Sequence, residues 1–255
     1  MSHFLLGMKL DTTSYMEATN KIIAWAKAGE SRSVFAANVH MAMEAHDSQA
    51  FCNIVNTADM VTPDGMPLVW ALRHKGYPHQ ERVYGPTLML KLLDAAAKEG
   101  IPVGFMGSTD EILHKLTEKM TARFPGLIVG IQIAPPFRPL STEEDQRIIK
   151  EIKDSGVKIL FASLGCPKQE QWIASHYSQI HAVMVGVGAA FAFHAGIVPQ
   201  APNWIQKMGL EWLFRLNQEP HRLWKRYAFT NPRFIFLILR EFILEKVGNK
   251  RHQEC

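Results

Sequence analysis

Ile101-Pro102-Val103-Gly104-Phe105-Met106-Gly107-Ser108-Thr109-Asp110-Glu111 is the stretch that decides the fold. Its first seven residues are apolar or glycine with no polar alternation, which reads as a strand buried on both faces. Ser108 and Glu111 then stand at capping-box spacing, predicting a helix to about Arg123. The joint recurs downstream. Leu127 to Ala134 reads as a strand, Pro135-Pro136 breaks it, and Ser141 with Glu144 forms a second capping box opening a helix to Asp154. Val157 to Leu164 is a strand ending in Gly165-Cys166-Pro167, followed by a helix over Lys168 to Ser175. His181 to Val187 is a strand ending at Gly188.

Upstream the pattern is similar. Residues 12–28 have helical spacing and stop at Gly29, and Ser33 to Ala37 is a strand ending at Asn38. His40 to Val55 returns to a helix, and Asp59 to Thr62 is a short extended piece. Met66 to Arg73 is a helix with Pro67 in its first turn, and Pro86 to Lys98 is a helix closed by Gly100. Strands alternating with helices and apolar on both faces predict an α/β fold, a largely parallel sheet with helices on both faces.

The 255 residues, 47% hydrophobic and 20% charged, suffice for a substantial core and exclude a disordered chain. Cys52, Cys166 and Cys255 are scattered, with neither a disulfide framework nor a zinc signature, which suits a reducing compartment. Met1 to Asp11 lacks the pattern of a secretory signal, and no apolar run is long enough to span a bilayer. The charge is uneven. Residues 199–255 carry ten Lys/Arg against five acids, a net +5, which leaves residues 1–198 at −1. In this tail helices are predicted over Asn203 to Asn217, from Pro220 to Phe229, and from Pro232 to about Val247. Trp204, Trp212 and Trp224 lie among its cations. Apolar and basic residues together fit helices lying on an anionic membrane surface. A helical cap on the sheet with solvated cations fits the same pattern. The expected organisation is a domain over 1–198 and a helical appendage over 199–255.

Ala58-Asp59-Met60-Val61-Thr62-Pro63-Asp64-Gly65-Met66-Pro67 places one carboxylate, Asp64, on a loop stiffened by Pro63, between an extended segment and a helix. In open α/β sheets ligands bind at such positions. Asp-Gly is also an ordinary turn. Gly107, Gly165 and Gly188 close strands where a nucleotide phosphate would approach backbone N–H groups, although such glycines also serve simple turns. Neither a dinucleotide fingerprint nor a P-loop is present. For sugar transfer from a nucleotide, Asp64 is the best-placed base. No Asp-x-Asp occurs, so neutralising a departing diphosphate would fall to cations: Arg82, and the tail cluster Arg215, Arg222, Lys225 and Arg226. Gln169 at a helix start has the chemistry to bond a sugar hydroxyl or simply to face solvent. His194 reads as structural. An NAD-dependent oxidoreductase and a non-catalytic adaptor are the rival classes; the missing glycine fingerprint argues against the first.

The chain resembles the WecG/TagA/CpsF family of bacterial glycosyltransferases from about Val34 to Tyr227. The resemblance is carried by Ala37-Asn38-Val39-His40, Thr62-Pro63-Asp64-Gly65-Met66-Pro67 and Glu81-Arg82-Val83-Tyr84-Gly85. It continues through Pro135-Pro136-Phe137-Arg138, Gly165-Cys166-Pro167-Lys168-Gln169-Glu170 and Gly186-Val187-Gly188-Ala189, and ends in Gly209 to Leu216 with Glu219 to Leu223. It implies a Rossmann-like fold and an inverting hexosyltransferase without metal or cofactor. The donor would be a UDP-sugar and the acceptor a polyprenyl-diphosphate-linked sugar. Such an enzyme would work as a peripheral membrane protein on the cytoplasmic face, in exopolysaccharide or envelope polysaccharide synthesis. No nucleic-acid partner is implied, and a homo-oligomer is compatible with it. By the resemblance Asp64 is the base, and Asn38, Arg82 and Gln169 are pocket residues. Phe137 borders the uracil, and Arg215 and Arg222, with Lys225 or Arg226, complete the site from a membrane-binding tail. One position departs: Ala192 stands between Phe191 and Phe193 where many relatives carry Asp, so the resemblance implies a different reading of the nucleotide here.

Overall fold

In the computed structural model, which describes residues 2–253, the chain opens with an antiparallel hairpin of β1 (Ser2–Leu5) and β2 (Met8–Asp11). α1 (Tyr15–Ala28) leads to β3 (Arg32–Ala37), α2 (Val39–Asp47), α3 (Gln49–Thr57), β4 (Met60–Pro63), α4 (Met66–His74) and α5 (Gly85–Glu99). Then β5 (Val103–Gly107), α6 (Asp110–Arg123), β6 (Val129–Ile133), α7 (Thr142–Asp154), β7 (Ile159–Ser163), α8 (Lys168–His176) and β8 (Val183–Gly186) alternate. α9 (Ala190–His194), α10 (Asn203–Lys207), α11 (Glu211–Gln218) and α12 (Pro220–Gln253) follow. Cys255 and the tail acid Glu254 lie outside the described residues, as do the side chains of Lys246, Lys250 and Arg251.

Six strands form one all-parallel sheet in the order β4-β3-β8-β7-β5-β6, an α/β Rossmann-like arrangement. Strand geometry explains why these strands show no polar alternation. Successive side chains point to opposite faces, and both faces are covered. Phe35, Met106, Leu160 and Met184 pack beneath α2, α3, α7 and α8. Their neighbours Val34, Phe105, Phe161 and Val185 pack beneath α1, α5 and α6. The edge strand β4 is flanked by the hairpin, where the Val61 N–H donates to Asp11 Oδ2 at 2.7 Å.

From β3 to β6 along the sheet, neighbouring strands send the helices that follow them to opposite faces, whereas β4 and β3 lead to α4 and α2 on the same face. β3 and β7 lead to α2 and α8 on one face, β8 and β5 to α9 and α6 on the other. In open sheets of this kind ligands bind outside the carboxyl ends of the strands. Because the strands are parallel, Asn38, Asp64, Gly107, Gln169 and Gly188, which close or follow five of them, are brought to that one end.

Local chemistry corrects several expected boundaries. The helix expected over His40 to Val55 is split, because Ser48 takes an extended conformation and its hydroxyl accepts from the Phe51 N–H, capping α3. Ser141 and Glu144 form the expected capping box. The box expected at Ser108 does not form, since Ser108 has φ +64 and Thr109 caps α6 instead. The helix expected over Asn203 to Asn217 breaks at Gly209, whose φ of +71 no continuing helix allows. The two expected helices on either side of Asn231 are one, continuous through Pro232. Proline removes a single backbone donor there. Contacts just beyond it offset that loss: Phe234 and Ile238 join the core, and Arg233 pairs bidentately with Asp47 at 2.6 Å.

Gly107 has φ +121, and a Cβ there would lie 2.6 Å from the carbonyl carbon of Ser163 on β7. Gly107→Ala combines backbone strain with overlap in a packed sheet, and is expected to destabilise by about 3–5 kcal/mol. Denaturant unfolding measures this, and a loss below about 1 kcal/mol would show that β5 and β7 can separate without cost.

Candidate active site

Asp64 directly follows β4. Its own N–H donates to the Ala37 carbonyl at 2.8 Å, tying the loop to the end of β3 beside Asn38. Gly65 allows this approach, since a Cβ there would lie 3.1 Å from the Asn38 Cα. Asp64 as a residue is 8% exposed. Oδ2 accepts from the Gly85 N–H at 3.0 Å, and Oδ1 lies 3.3 Å from Arg82 Nη2. Arg82 Nε also donates to the Asp64 carbonyl. Burial pushes the Asp64 carboxyl up from 3.8 to about 6; Glu211 adds to this, while Arg82 and the Gly85 N–H oppose it. The result is a buried acid near neutrality at the carboxyl end of the sheet, the range expected of a general base.

Arg82 lies between two carboxylates. Its Nη2 is 2.7 Å from Glu211 Oε2, closer than to Asp64, and its guanidinium stacks 3.9 Å from the Tyr84 ring centroid. Burial opposes its charge, but Asp64 and Glu211 hold it protonated above its ordinary value. The Tyr84 hydroxyl donates to Glu211 Oε1 at 2.8 Å, and the Tyr84 N–H donates to the Tyr15 hydroxyl at 3.0 Å.

The site is continuous across the sheet. Gln169, 3% exposed, accepts from the Gly188 N–H at 3.2 Å through Oε1 and donates to Glu170 Oε1 at 2.6 Å through Nε2. Its amide thus braces the Gly188 turn. Ser163, beside Gly107, donates from Oγ to the Gly188 carbonyl at 2.5 Å. Asn38 caps α2, its Oδ1 accepting from the Met41 N–H at 3.2 Å. Phe137 lies on the loop after β6, 83% exposed. His194 is structural in its contacts: Nε2 bonds the Pro86 carbonyl at 2.9 Å, and burial lowers its pKa.

The tail cations divide. Arg215 stacks 5.8 Å from the Phe193 ring centroid at the end of α9. Arg226 is half-buried near His40, whose pKa burial lowers to about 4 with Arg226 adding to the effect. Arg222 is exposed and paired with Glu219, and Lys225 is exposed against Trp224. So Arg82, Arg215 and Arg226 face inward, while Arg222 and Lys225 face solvent. Among the described residues no three His, Cys, Asp or Glu side chains gather as a metal site.

Sequence reasoning did not single out Glu211, Tyr84 or Tyr15. Tyr84 and Glu211 each stood inside a quoted motif, yet a pairing across 127 residues leaves no local signal.

A match to the glycosyl transferase WecG/TagA/CpsF family covers residues 3–248. With that match spanning nearly the whole chain, the protein belongs to the WecG/TagA/CpsF family and is a glycosyltransferase of cell-envelope polysaccharide synthesis.

Proposed function

We propose that the protein is an inverting, metal-independent hexosyltransferase that moves a sugar from a UDP-sugar to a polyprenyl-diphosphate-linked sugar at the cytoplasmic membrane face. The observation that carries this reading is Asp64: a buried carboxylate at the carboxyl end of the sheet, held by the Gly85 N–H and Arg82, and poised near pH 6. In one displacement the acceptor hydroxyl oxygen bonds the anomeric carbon as the bond from that carbon to the diphosphate oxygen breaks. Asp64 takes the hydroxyl proton and UDP leaves with the bonding pair. Arg82 is shared by two carboxylates, so the charge growing on UDP falls mainly to Arg215 and Arg226, with Arg222 and Lys225 drawn in as the lipid-linked substrate arrives. The absence of Asp-x-Asp supports charge neutralisation by these cations. Asn38, Phe137 and the Gly107 and Gly188 turns line the donor side.

No helix among the described residues is long and apolar enough to cross a membrane. α12 instead carries an outward apolar row, Ile235, Phe236, Leu239 and Ile243, all exposed and alongside basic residues, which supports peripheral binding.

The test offers a panel of UDP-sugars with a polyprenyl-diphosphate-linked acceptor across pH 5–8. The expected result is transfer from one UDP-sugar with inverted anomeric configuration, the rate rising through an acid limb near pH 6 as Asp64 ionises. Retention of configuration, or a rate flat through that range, would rule out the mechanism.

A further inference from the structure

Glu211 comes from α11, far along the chain from Arg82 and Tyr84, yet both of its carboxylate oxygens are committed to them. Oε2 takes Arg82 Nη2 at 2.7 Å and Oε1 takes the Tyr84 hydroxyl at 2.8 Å. The side chains of Asp64, Arg82 and Glu211 are each only 12–15% exposed, so solvent screens this triad weakly. Two further contacts place α10 and the turn into α11. Gln206 Oε1 lies 3.3 Å from Arg82 Nη1, and Gly209 packs so tightly on Trp70 that a Cβ would approach its ring to 2.6 Å. The guanidinium is thereby fixed on the Tyr84 ring with its shorter bond to Glu211 and its longer one, 3.3 Å, to Asp64.

We infer that Glu211 is a positioning residue, through which the C-terminal helices hold Arg82 off the Asp64 carboxylate and so keep Asp64 a competent base. The catalytic half of this inference rests on the proposed role of Asp64; the electrostatic half does not. The charged and titratable groups facing Asp64 are Arg82, Glu211, Tyr84 and Tyr15. Only Arg82 favours the carboxylate by its charge. Without Glu211, Arg82 has one acidic partner in place of two, and it closes on Asp64. A carboxylate so paired ionises at lower pH and accepts a proton less readily.

The experiment is a ¹³C-carboxyl NMR titration of Asp64 in the full-length protein, assigned by loss of its signal in Asp64→Asn, for wild type, Glu211→Gln and Glu211→Asp. Glu211→Gln keeps the shape and removes the charge, and is expected to lower the Asp64 midpoint by about one pH unit. Glu211→Asp keeps the charge and is expected to recover most of that shift. The acid limb of turnover should move with the midpoint, with turnover reduced by roughly tenfold in Glu211→Gln. A merely structural Glu211 would lower the melting temperature and leave the midpoint in place; that result, or an equal shift in both variants, overturns the inference. A midpoint that moves while the turnover limb stays put upholds the positioning of Arg82 and removes Asp64 as the base.

Discussion

Replacing Asp64 with Asn lowers turnover by about 10³-fold, the scale of a lost general base. The substitution preserves shape but not hydrogen bonding. Both carboxylate oxygens accept, one from the Gly85 N–H and one from Arg82 Nη2, whereas an amide offers one acceptor. The amide oxygen can keep the Gly85 bond if Arg82 turns further toward Glu211, so the loop should hold. Stability gives a second reading, free of any assumption about chemistry. The native state raises the Asp64 pKa from 3.8 to about 6, so it holds that proton more tightly than the unfolded chain does. This group therefore contributes stability that is fully present below pH 4 and lost as pH rises through about 6. Asp64→Asn, uncharged throughout, should flatten that part of the stability profile. Melting curves across pH 4–7 and single-turnover transfer measure the two effects. Near-normal transfer by a folded variant would remove Asp64 from the chemistry.

The double substitution Phe236→Gln and Leu239→Gln weakens binding to vesicles containing anionic lipid by roughly 100-fold. Partial burial of each side chain in the interface contributes about 1.5 kcal/mol, hence about 3 kcal/mol for the pair. These residues are 65% and 54% exposed, on the opposite side of α12 from Phe234 and Ile238, which are in the core. The melting temperature should therefore stay within a few degrees of wild type. Deleting residues 199–255 would be a poorer test. It removes core side chains, the Leu6 N–H bond to Glu241 at 2.8 Å and the stack of His74 on Phe242 at 4.4 Å, so unfolding would be confused with loss of docking. Undiminished co-sedimentation of the double variant would mean that another surface meets the lipid.

Much of the fold was legible because its signals are local. Gly29 and Gly100 end helices in the left-handed conformation that glycine adopts without strain, and the Ser141 box caps α7. Unbroken apolar runs mark strands covered on both faces. Expectations failed where a local rule met a stronger neighbour. Pro232 should end a helix, but Phe234, Ile238 and the Arg233–Asp47 pair carry α12 through it. The β1–β2 hairpin went unpredicted because its two strands are four residues each, too short for periodicity to show.

The sequence by itself determined that strands and helices alternate, that Asp64 ends a strand on a stiffened loop, and that the cations concentrate in the tail. Those properties follow from backbone sterics, capping chemistry and composition, which act within a few residues. Only the tertiary structure decided which groups share a field. It set Arg82 between Asp64 and Glu211, turned the Gln169 amide onto the Gly188 turn, and separated the inward Arg215 and Arg226 from the solvated Arg222 and Lys225. The reason is physical. Burial and charge pairing depend on distance in space, and strand order brings together residues that the chain separates by more than a hundred positions.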